Sequence, residues 1–259
     1  MPSPENTFKS AMAARRQQIG CWLSFADIGA AELMATAGFD WLVIDGEHAP
    51  NDIRSIRDQL IAVQGRGTQA IVRVPVGEAW VIKQVLDAGA QTVLVPMVDT
   101  ADQARALVAA TRYAPQGIRG MGAMGGRVSQ FGAIADYVQT ANDQISLLVQ
   151  AESRAALNNL DAILAVDGVD GVFIGPADLS ADMGFPGNAA APEVRAAIAD
   201  AIARITGAGK AAGLLTYSPQ EAKTYLDMGV NFLAVGLDTL ILARAARALA
   251  AETRALIKR

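Results

Sequence analysis

The only histidine of this chain, His48, follows the apolar run Trp41–Ile44 and stands beside two acids, Asp45 and Glu47. Imidazole is the side chain best suited to moving protons near neutral pH. A histidine that merely forms a hydrogen bond in a loop is an equally good interpretation of this segment taken alone. The neighbouring acids make it the first place to look for catalysis, with His48 and Asp45 as candidate catalytic residues.

Arg73 is a further candidate, because it interrupts the otherwise apolar run Ala70–Val74. A buried arginine needs an anionic partner, which is either another side chain or a bound ligand. The run itself leaves a structural salt bridge and a ligand contact equally open.

Two acids follow later apolar runs, Glu152 after Ile145–Gln150 and Asp178 after Gly171–Ile174. Two carboxylates on neighbouring strands, with room for water and a chelating substrate, are typical of a site for Mg²⁺ or Mn²⁺. Gln150 stands two residues before Glu152 and therefore lies on the same side of its strand. The competing interpretation is that Asp178 only caps a short turn and that Glu152 faces solvent. We favour the metal site, because a polar pair facing inward at a strand end is unusual as core filling.

A carboxylic acid is the substrate group that the segment Gly175–Asp178 fits best. The segment places the peptide N–H groups of Ala177 and Asp178 at the start of a predicted helical turn, where anions bind. Phosphate is less favoured, because the segments after the seventh and eighth apolar runs lack a glycine-rich cradle. The residues of this segment that we expect to bind substrate are Gly175, Pro176, Ala177 and Asp178, and Trp22 and Leu215 at other strand ends are further candidates.

Covalent imine chemistry is not expected, since it needs a lysine that faces the inside of the site. The predicted helices carry Lys83, Lys223 and Lys258. Lys210 lies in a loop before the seventh strand, and Lys9 lies in the N-terminal tail. Electron withdrawal would therefore fall to a metal ion, and no organic cofactor is expected.

The elements that must position these residues alternate along the chain, with short β-branched runs separated by amphipathic, alanine-rich stretches. Eight strands, each followed by a helix, within ~250 residues are the signature of a (β/α)₈ barrel, which carries its catalytic groups at the carboxyl ends of the strands. A doubly wound open sheet is the alternative, but no G-x-G-x-x-G turn follows the first run. We expect one domain over residues 1–259. The predicted strands are Gly20–Phe25, Trp41–Asp45, Ala70–Val74, Thr92–Val95, Ile145–Gln150, Gly171–Ile174, Ala212–Thr216 and Phe232–Val235, and the predicted helices are Ile28–Ala37, Asp52–Val63, Ala79–Ala88, Ala101–Tyr113, Ala155–Val166, Pro192–Gly207, Pro219–Met228 and Thr239–Ile257.

Two irregular segments break this alternation, Pro115–Tyr137 and Met183–Ala191. The first is long and glycine-rich, which predicts a functional loop over one mouth of the barrel. The last predicted helix has one apolar face, which either closes its own barrel or packs on a neighbouring subunit. That face consists of Leu240, Leu242, Leu249 and Leu256.

Composition excludes several classes of protein. A net charge of −4 and a pI near 5.1, without a cluster of basic residues, disfavour binding to nucleic acid or to an acidic membrane. No apolar stretch is long enough to cross a bilayer, and the N-terminus does not resemble an export signal. The single cysteine, Cys21, excludes an internal disulfide and fits a reducing compartment. We expect a cytoplasmic protein that acts on small molecules.

Six segments, in order along the chain, resemble the motifs of the HpcH/HpaI aldolases, which are metal-dependent (class II) pyruvate aldolases of the 4-hydroxy-2-oxoheptanedioate aldolase type. The resemblance implies a modified (β/α)₈ barrel of the phosphoenolpyruvate/pyruvate type, whose last helix is exchanged between subunits. It also implies a homo-hexamer built as a trimer of dimers. The segments are Asp45–Pro50, Val72–Pro75, Val95–Val98, Gly117–Gly120, Leu148–Ser153 and Gly175–Ser180.

The same resemblance implies roles for the metal and the substrate. Glu152 and Asp178 would hold Mg²⁺, Mn²⁺ or Co²⁺, with a 2-oxo acid completing the coordination. Gln150 and the main chain at Ala177 and Asp178 would position that acid, and Arg73 would stabilise the enolate oxygen.

The resemblance further implies that His48 is the base, acting through a water, and that Asp87 raises its basicity. Position alone makes Asp87 a solvated helix residue, so such a role needs a contact between subunits. The segment Gly122–Phe131 is richer in glycine and less bulky than in the heptanedioate enzymes, and we expect it to line the aldehyde side.

The expected activity is reversible cleavage of a 4-hydroxy-2-oxo acid into a 2-oxo acid, pyruvate or hydroxypyruvate, and an aldehyde. One alternative is a barrel lyase or mutase acting on phosphoenolpyruvate or a CoA thioester, which would need a basic cluster. A second is a barrel that only binds a keto acid. The combined presence of His48, Arg73, Glu152 and Asp178 argues against that second alternative.

Overall fold

Eight parallel strands close into a barrel in which each strand pairs with its neighbours in sequence and β1 pairs with β8. The computed structural model describes residues 2–257. The barrel confirms the predicted class and excludes the open sheet. The strands are β1 (Gln18–Leu23), β2 (Trp41–Asp45), β3 (Gln69–Arg73), β4 (Thr92–Val95), β5 (Ser146–Ala151), β6 (Gly171–Ile174), β7 (Ala211–Leu215) and β8 (Phe232–Leu237).

Helices cover the outside of the barrel and close one of its ends. They are α1 (Thr7–Ala13), α2 (Ile28–Met34), α3 (Ile53–Val63), α4 (Ala79–Asp87), α5 (Ala101–Thr111), α6 (Tyr137–Gln144), α7 (Arg154–Asn158), α8 (Leu160–Leu164), α9 (Pro176–Asp182), α10 (Pro192–Gly207), α11 (Pro219–Asp227) and α12 (Asp238–Ala255), with short 3₁₀ turns at Ala123–Gly125 and Arg127–Ser129. The single helix predicted over Ala155–Val166 is in fact α7 and α8, separated at Asn159.

Alternation along each strand decides which residues face the interior. In β2, Trp41 and Val43 belong to the core inside the barrel, whereas Leu42 and Ile44 pack under the helices. Because successive side chains point to opposite faces, the next inward position is Asp45. The same alternation brings the side chains at the ends of β3 and β5 to the inner face.

The N-terminal segment forms α1, which the sequence reading missed, and this helix closes the end of the barrel where the strands begin. The Phe8 ring lies 6.0 Å, edge on, from the rings of Trp41 and Phe232. Lys9 therefore lies on a helix and not in a tail. Lys83, Lys223 and Lys210 lie where they were predicted, and Lys258 is outside the described residues.

The glycine-rich segment between α5 and α6 lies at the end of the barrel where the strands begin. Its Arg127 donates from Nη1 to the carbonyl of Ala88 (3.1 Å) and also contacts Gln64. Those two residues follow the C-termini of α4 and α3, which run back from the strand ends to the strand starts. Within one chain the segment therefore lies at the end of the barrel opposite His48, and its lining of the aldehyde side stays a prediction that requires a second copy.

The last helix, α12, packs on β1 and β8 only near its first turn and then leaves the barrel. Leu249 is 66% exposed, and Leu242 and Leu256 on the predicted apolar face are also exposed. The helix therefore does not close its own barrel. Within residues 2–257, no helix combines the length and apolarity that a membrane span requires.

Candidate active site

Asp45 fixes both Arg73 and the turn that carries His48. Asp45 and Arg73 are direct partners in the register of β2 and β3. The guanidinium donates from Nε to Oδ1 (2.9 Å) and from Nη2 to Oδ2 (2.8 Å) of the carboxylate. Oδ1 also accepts the peptide N–H groups of Glu47 (3.0 Å) and His48 (3.2 Å). One buried acid thus orients the candidate cation and the candidate base.

Arg73 meets a second acid and an aromatic ring. Glu47 Oε2 lies 2.7 Å from Nη1, an ion-pair contact without the alignment of a hydrogen bond. The Trp22 ring supports the guanidinium, with its centroid 5.5 Å from Cζ. The structural salt bridge that the sequence left open is present. The bond to Asp45 uses two of the five N–H donors of the arginine, so a donor that is not directed at Asp45 or Glu47 can face a ligand.

His48 stands at the open end of the barrel with its side chain 67% exposed. Its Nε2 lies 3.9 Å from Glu47 Oε2, the one acid that the structure places beside the ring among the described residues. The imidazole is therefore accessible to solvent and to a substrate. The sequence pattern alone assigns no role to Glu47, although this residue belongs to the same Asp45–Pro50 segment.

Glu152 is only 4% exposed, so the interpretation that it faces solvent is wrong. Its Oε1 accepts the peptide N–H of Met97 (2.8 Å) and its Oε2 accepts Nε2 of Gln150 (2.7 Å). Burial raises the pKa of this carboxyl, and the negative charges of Glu47 and Asp178 raise it further. Met97 has φ of 55°, a strained conformation for a non-glycine residue, which aims its N–H at Glu152. The residue type of Met97 does not predict that its N–H binds Glu152.

Gly175 makes room for Glu152. A β-carbon at position 175 would lie 2.5 Å from Glu152 Oε2, closer than real atoms approach.

Pro176 is the first residue of α9 and Gly175 is its N-cap, so Asp178 lies in the first turn and is not a cap. Ala177 and Asp178 are exposed at the rim. Glu152 and Asp178 follow the neighbouring strands β5 and β6 at the same rim, and the charge of Asp178 contributes to the raised pKa of Glu152, so we assign both acids to one site.

The donor chemistry fits a hard divalent cation. Glu152 and Asp178 offer carboxylate oxygens, and Gln150 Oε1 is buried without a hydrogen-bond partner. Between residues 2 and 257, no group of three His, Cys, Asp or Glu side chains is arranged to bind a metal. The protein would thus contribute two acids and leave the other positions to water and an oxygen-rich ligand, as Mg²⁺ and Mn²⁺ commonly require.

The remaining predicted residues are divided between the site and the far end of the barrel. Trp22 is buried in the barrel core, 5.2 Å from the Phe173 ring, and supports Arg73 from below. Leu215 ends β7, packs on the same core and is half-buried. Asp87 ends α4 at the opposite end of the barrel, so the chain does not bring it to His48.

A family model described as HpcH/HpaI aldolase/citrate lyase matches residues 18–245. A hydroxypyruvate/pyruvate aldolase of Roseovarius nubinhibens is 58% identical over 98% of this chain and 99% of its own length. A 4-hydroxy-2-oxo-heptane-1,7-dioate aldolase of Escherichia coli is 56% identical, over 96% of this chain and 95% of the relative.

The fold has a solved counterpart. A crystal structure of an HpcH/HpaI aldolase/citrate lyase family protein from Burkholderia cenocepacia J2315 superposes with a TM-score of 0.93 at 39% identity, covering 96% of this chain and 99% of the other. Since the family model and the full-length relatives agree with the barrel and its rim of acids, the chain belongs to the HpcH/HpaI aldolase/citrate lyase family.

Proposed function

We propose that the protein catalyses the reversible aldol cleavage of a 4-hydroxy-2-oxo acid into pyruvate, or a related 2-oxo acid such as hydroxypyruvate, and an aldehyde. The aldolase class, a carbon–carbon lyase, agrees with the names of full-length relatives. The observation that carries the proposal is the combination at one rim of the fixed cation Arg73, the exposed imidazole of His48, and two acids that follow neighbouring strands, Glu152 and Asp178.

Glu152 and Asp178 would hold a divalent cation, with Mg²⁺, Mn²⁺ and Co²⁺ as the candidates. Such an ion supplies Lewis-acid polarisation of the keto group. Gln150 and the peptide N–H groups of Ala177 and Asp178 would orient the 2-oxo acid. Trp22 and Leu215 would form an apolar floor beneath it.

Arg73 would stabilise the enolate oxygen. Asp45 holds the guanidinium in place before the substrate arrives, so no reorganisation is needed as negative charge develops. A preorganised donor of this kind typically stabilises a transition state by about 3 kcal/mol. Asp45 thus acts on the reaction through Arg73.

His48 would act as the general base, through a water molecule. In cleavage it removes the proton of the 4-hydroxyl group, the C3–C4 bond breaks, and the electron pair passes to the enolate. In synthesis it removes a proton from the methyl group of pyruvate. Base catalysis of this kind contributes roughly 10²–10⁴-fold.

A phosphorylated substrate is disfavoured by the chemistry at the end of β8. The carboxylate of Asp238 accepts the peptide N–H groups of Ser24 (2.9 Å), Phe25 (3.3 Å) and Thr239 (2.6 Å). In barrels that bind phosphate, backbone N–H groups near this position serve the ligand. In this protein the Asp238 carboxylate already accepts these N–H groups. The alternative function, a lyase or mutase acting on phosphoenolpyruvate, therefore gains no support.

The assembly is a further part of the proposal. The exposed apolar face of α12 would pack on a second copy, as in a helix exchange between subunits. A groove of about 540 Å³ beside α11 and β8, lined by Tyr217, Ala222, Leu226 and Val235, is a suitable receptor for it. We propose a homo-hexamer arranged as a trimer of dimers, in the cytoplasm. In that assembly Asp87 would approach His48 of a second copy and raise its basicity.

Exchange of the pyruvate methyl protons in D₂O, followed by NMR, tests the proposed reaction. We expect exchange that stops with EDTA and returns with Mn²⁺ or Mg²⁺. Glu152→Gln should abolish it, whereas Asp161→Asn, on the exposed outer surface, should not. Exchange that is unaffected by EDTA, or no exchange with any metal, would contradict the proposal.

A further inference from the structure

Arg119, outside the barrel, has the most deeply buried charge among the ion pairs of the described residues. Its side chain is 0% exposed. The guanidinium lies on the face of Tyr113, 4.4 Å from the ring centroid. Tyr113 and Tyr137 belong to a small apolar cluster beneath the glycine-rich segment. Removing a cation from water so completely is costly unless it is paired.

The pairing of Arg119 is incomplete. Its Nη2 donates to Asp87 Oδ1 at 2.8 Å. Its Nε and Nη1 are buried and have no hydrogen-bond partner within residues 2–257. A guanidinium needed only for stability would be expected to use more of its donors. Apart from a side-chain contact with Tyr137, the arrangement directs the charge at one oxygen of one acid, Asp87 Oδ1.

Asp87 is bound by Arg119 but remains partly exposed to solvent. Its side chain is 28% exposed, and its Oδ2 accepts no hydrogen bond in the part of the chain that the structure describes. The loop passes over it with glycines: a β-carbon at Gly122 would lie 3.5 Å from Oδ2, and one at Gly120 would lie 3.2 Å from Lys83 Cδ. At position 122 a β-carbon alone would be in ordinary van der Waals contact with Oδ2, and a larger side chain there would lie over the carboxylate. Gly122 therefore leaves Oδ2 uncovered on that side.

We propose that Arg119 is a positioning residue of the aldolase reaction. It ties Oδ1 of Asp87 and thereby presents Oδ2 to the imidazole of His48 in a second copy. This inference rests on the proposed role of Asp87 and adds the group that orients it. It also gives the segment Gly117–Gly120 a function, since that segment carries Arg119 under α4.

A double-mutant cycle on methyl-proton exchange of pyruvate tests this. Arg119→Met and Asp87→Asn should each lower kcat on the order of 10- to 100-fold, as for other groups that orient a catalytic residue. The KM for pyruvate should stay unchanged, since neither residue touches it. The double variant should be no slower than Asp87→Asn alone. Arg119→Lys, which keeps the charge, should recover part of the rate.

The control is Arg105→Met, which removes an exposed arginine that pairs with Asp102 on α5 and should exchange at the wild-type rate. Size-exclusion chromatography checks that each variant keeps its assembly. If Arg119→Met does not fold, the cycle is run with Arg119→Gln, which also removes the charge.

Multiplicative losses in the double variant, or a wild-type rate for a folded Arg119→Met, would overturn the positioning role. A wild-type rate for Asp87→Asn would overturn it as well, while leaving the aldolase proposal intact. Failure of the aldolase proposal itself would appear as no exchange in the wild type.

Discussion

Glu152 reaches the inside of the barrel only because residue 175 has no side chain. A β-carbon there would stand 2.5 Å from Glu152 Oε2 and 2.8 Å from its Cβ. We expect Gly175→Ala to displace the carboxylate and to lower metal affinity and kcat by at least ~10-fold. The matched control is Gly207→Ala, where an added β-carbon meets nothing within 4 Å. Equal behaviour of the two variants in a Mn²⁺ titration would contradict this reading.

Asp45→Asn tests the anchoring of Arg73. The substitution preserves shape but leaves a buried guanidinium without its bidentate partner. Breaking a buried pair in this way typically costs about 3–5 kcal/mol. We expect a clear loss of stability in urea together with a loss of activity. Asp161→Asn, which breaks an exposed pair with Arg204, should change stability by about 1 kcal/mol or less.

His48→Ala separates proton transfer from metal binding. The ring is exposed and its near acid is Glu47, not Glu152, so its loss should leave the metal affinity close to that of the wild type. Methyl-proton exchange of pyruvate should fall by roughly 10²–10⁴-fold. Parallel losses of exchange and of metal affinity would refute the assignment of His48 as base.

Glu47 gives a pH dependence of stability with a defined sign. Burial raises the pKa of this carboxyl above its ordinary value of 4.5, although the charge of Arg73 opposes the shift. A raised pKa in the folded state means stability that is complete below pH 4.5 and is lost as the pH rises through the folded-state value.

In metal-free buffer, the wild type should therefore become less stable relative to Glu47→Gln as the pH increases from 4.5. The two proteins should differ least at the acidic end of that window. Urea unfolding measures the difference, and a difference that is constant or opposite in sign would contradict the burial argument.

The sequence predicted the barrel well, because buried parallel strands are short apolar runs with sharp ends. The predicted bounds of β2, β4 and β6 are those observed. The polar residues at strand ends were equally predictable, since alternation along β2 places Asp45 inward once Trp41 and Val43 are inside. The interior position of Glu152 follows in the same way from Gln150.

What the sequence did not predict depends on contacts between distant segments. The helix α1 was not predicted because its apolar residues show little helical periodicity. Residues such as Phe8 pack instead against the end of the barrel where the strands begin. The Asp87–Arg119 pair joins α4 to a loop 32 residues away. No local sequence pattern predicts such a pair. The composition of the glycine-rich segment predicts a loop over one mouth of the barrel but does not indicate which mouth the loop covers.

The most direct test of the central claim is a Mn²⁺ titration followed by electron paramagnetic resonance, on the wild type, Glu152→Gln, Asp178→Asn and Asp161→Asn. We expect one site per subunit in the wild type and in Asp161→Asn, and strong loss of binding in the other two variants. Undiminished binding by both Glu152→Gln and Asp178→Asn would contradict it.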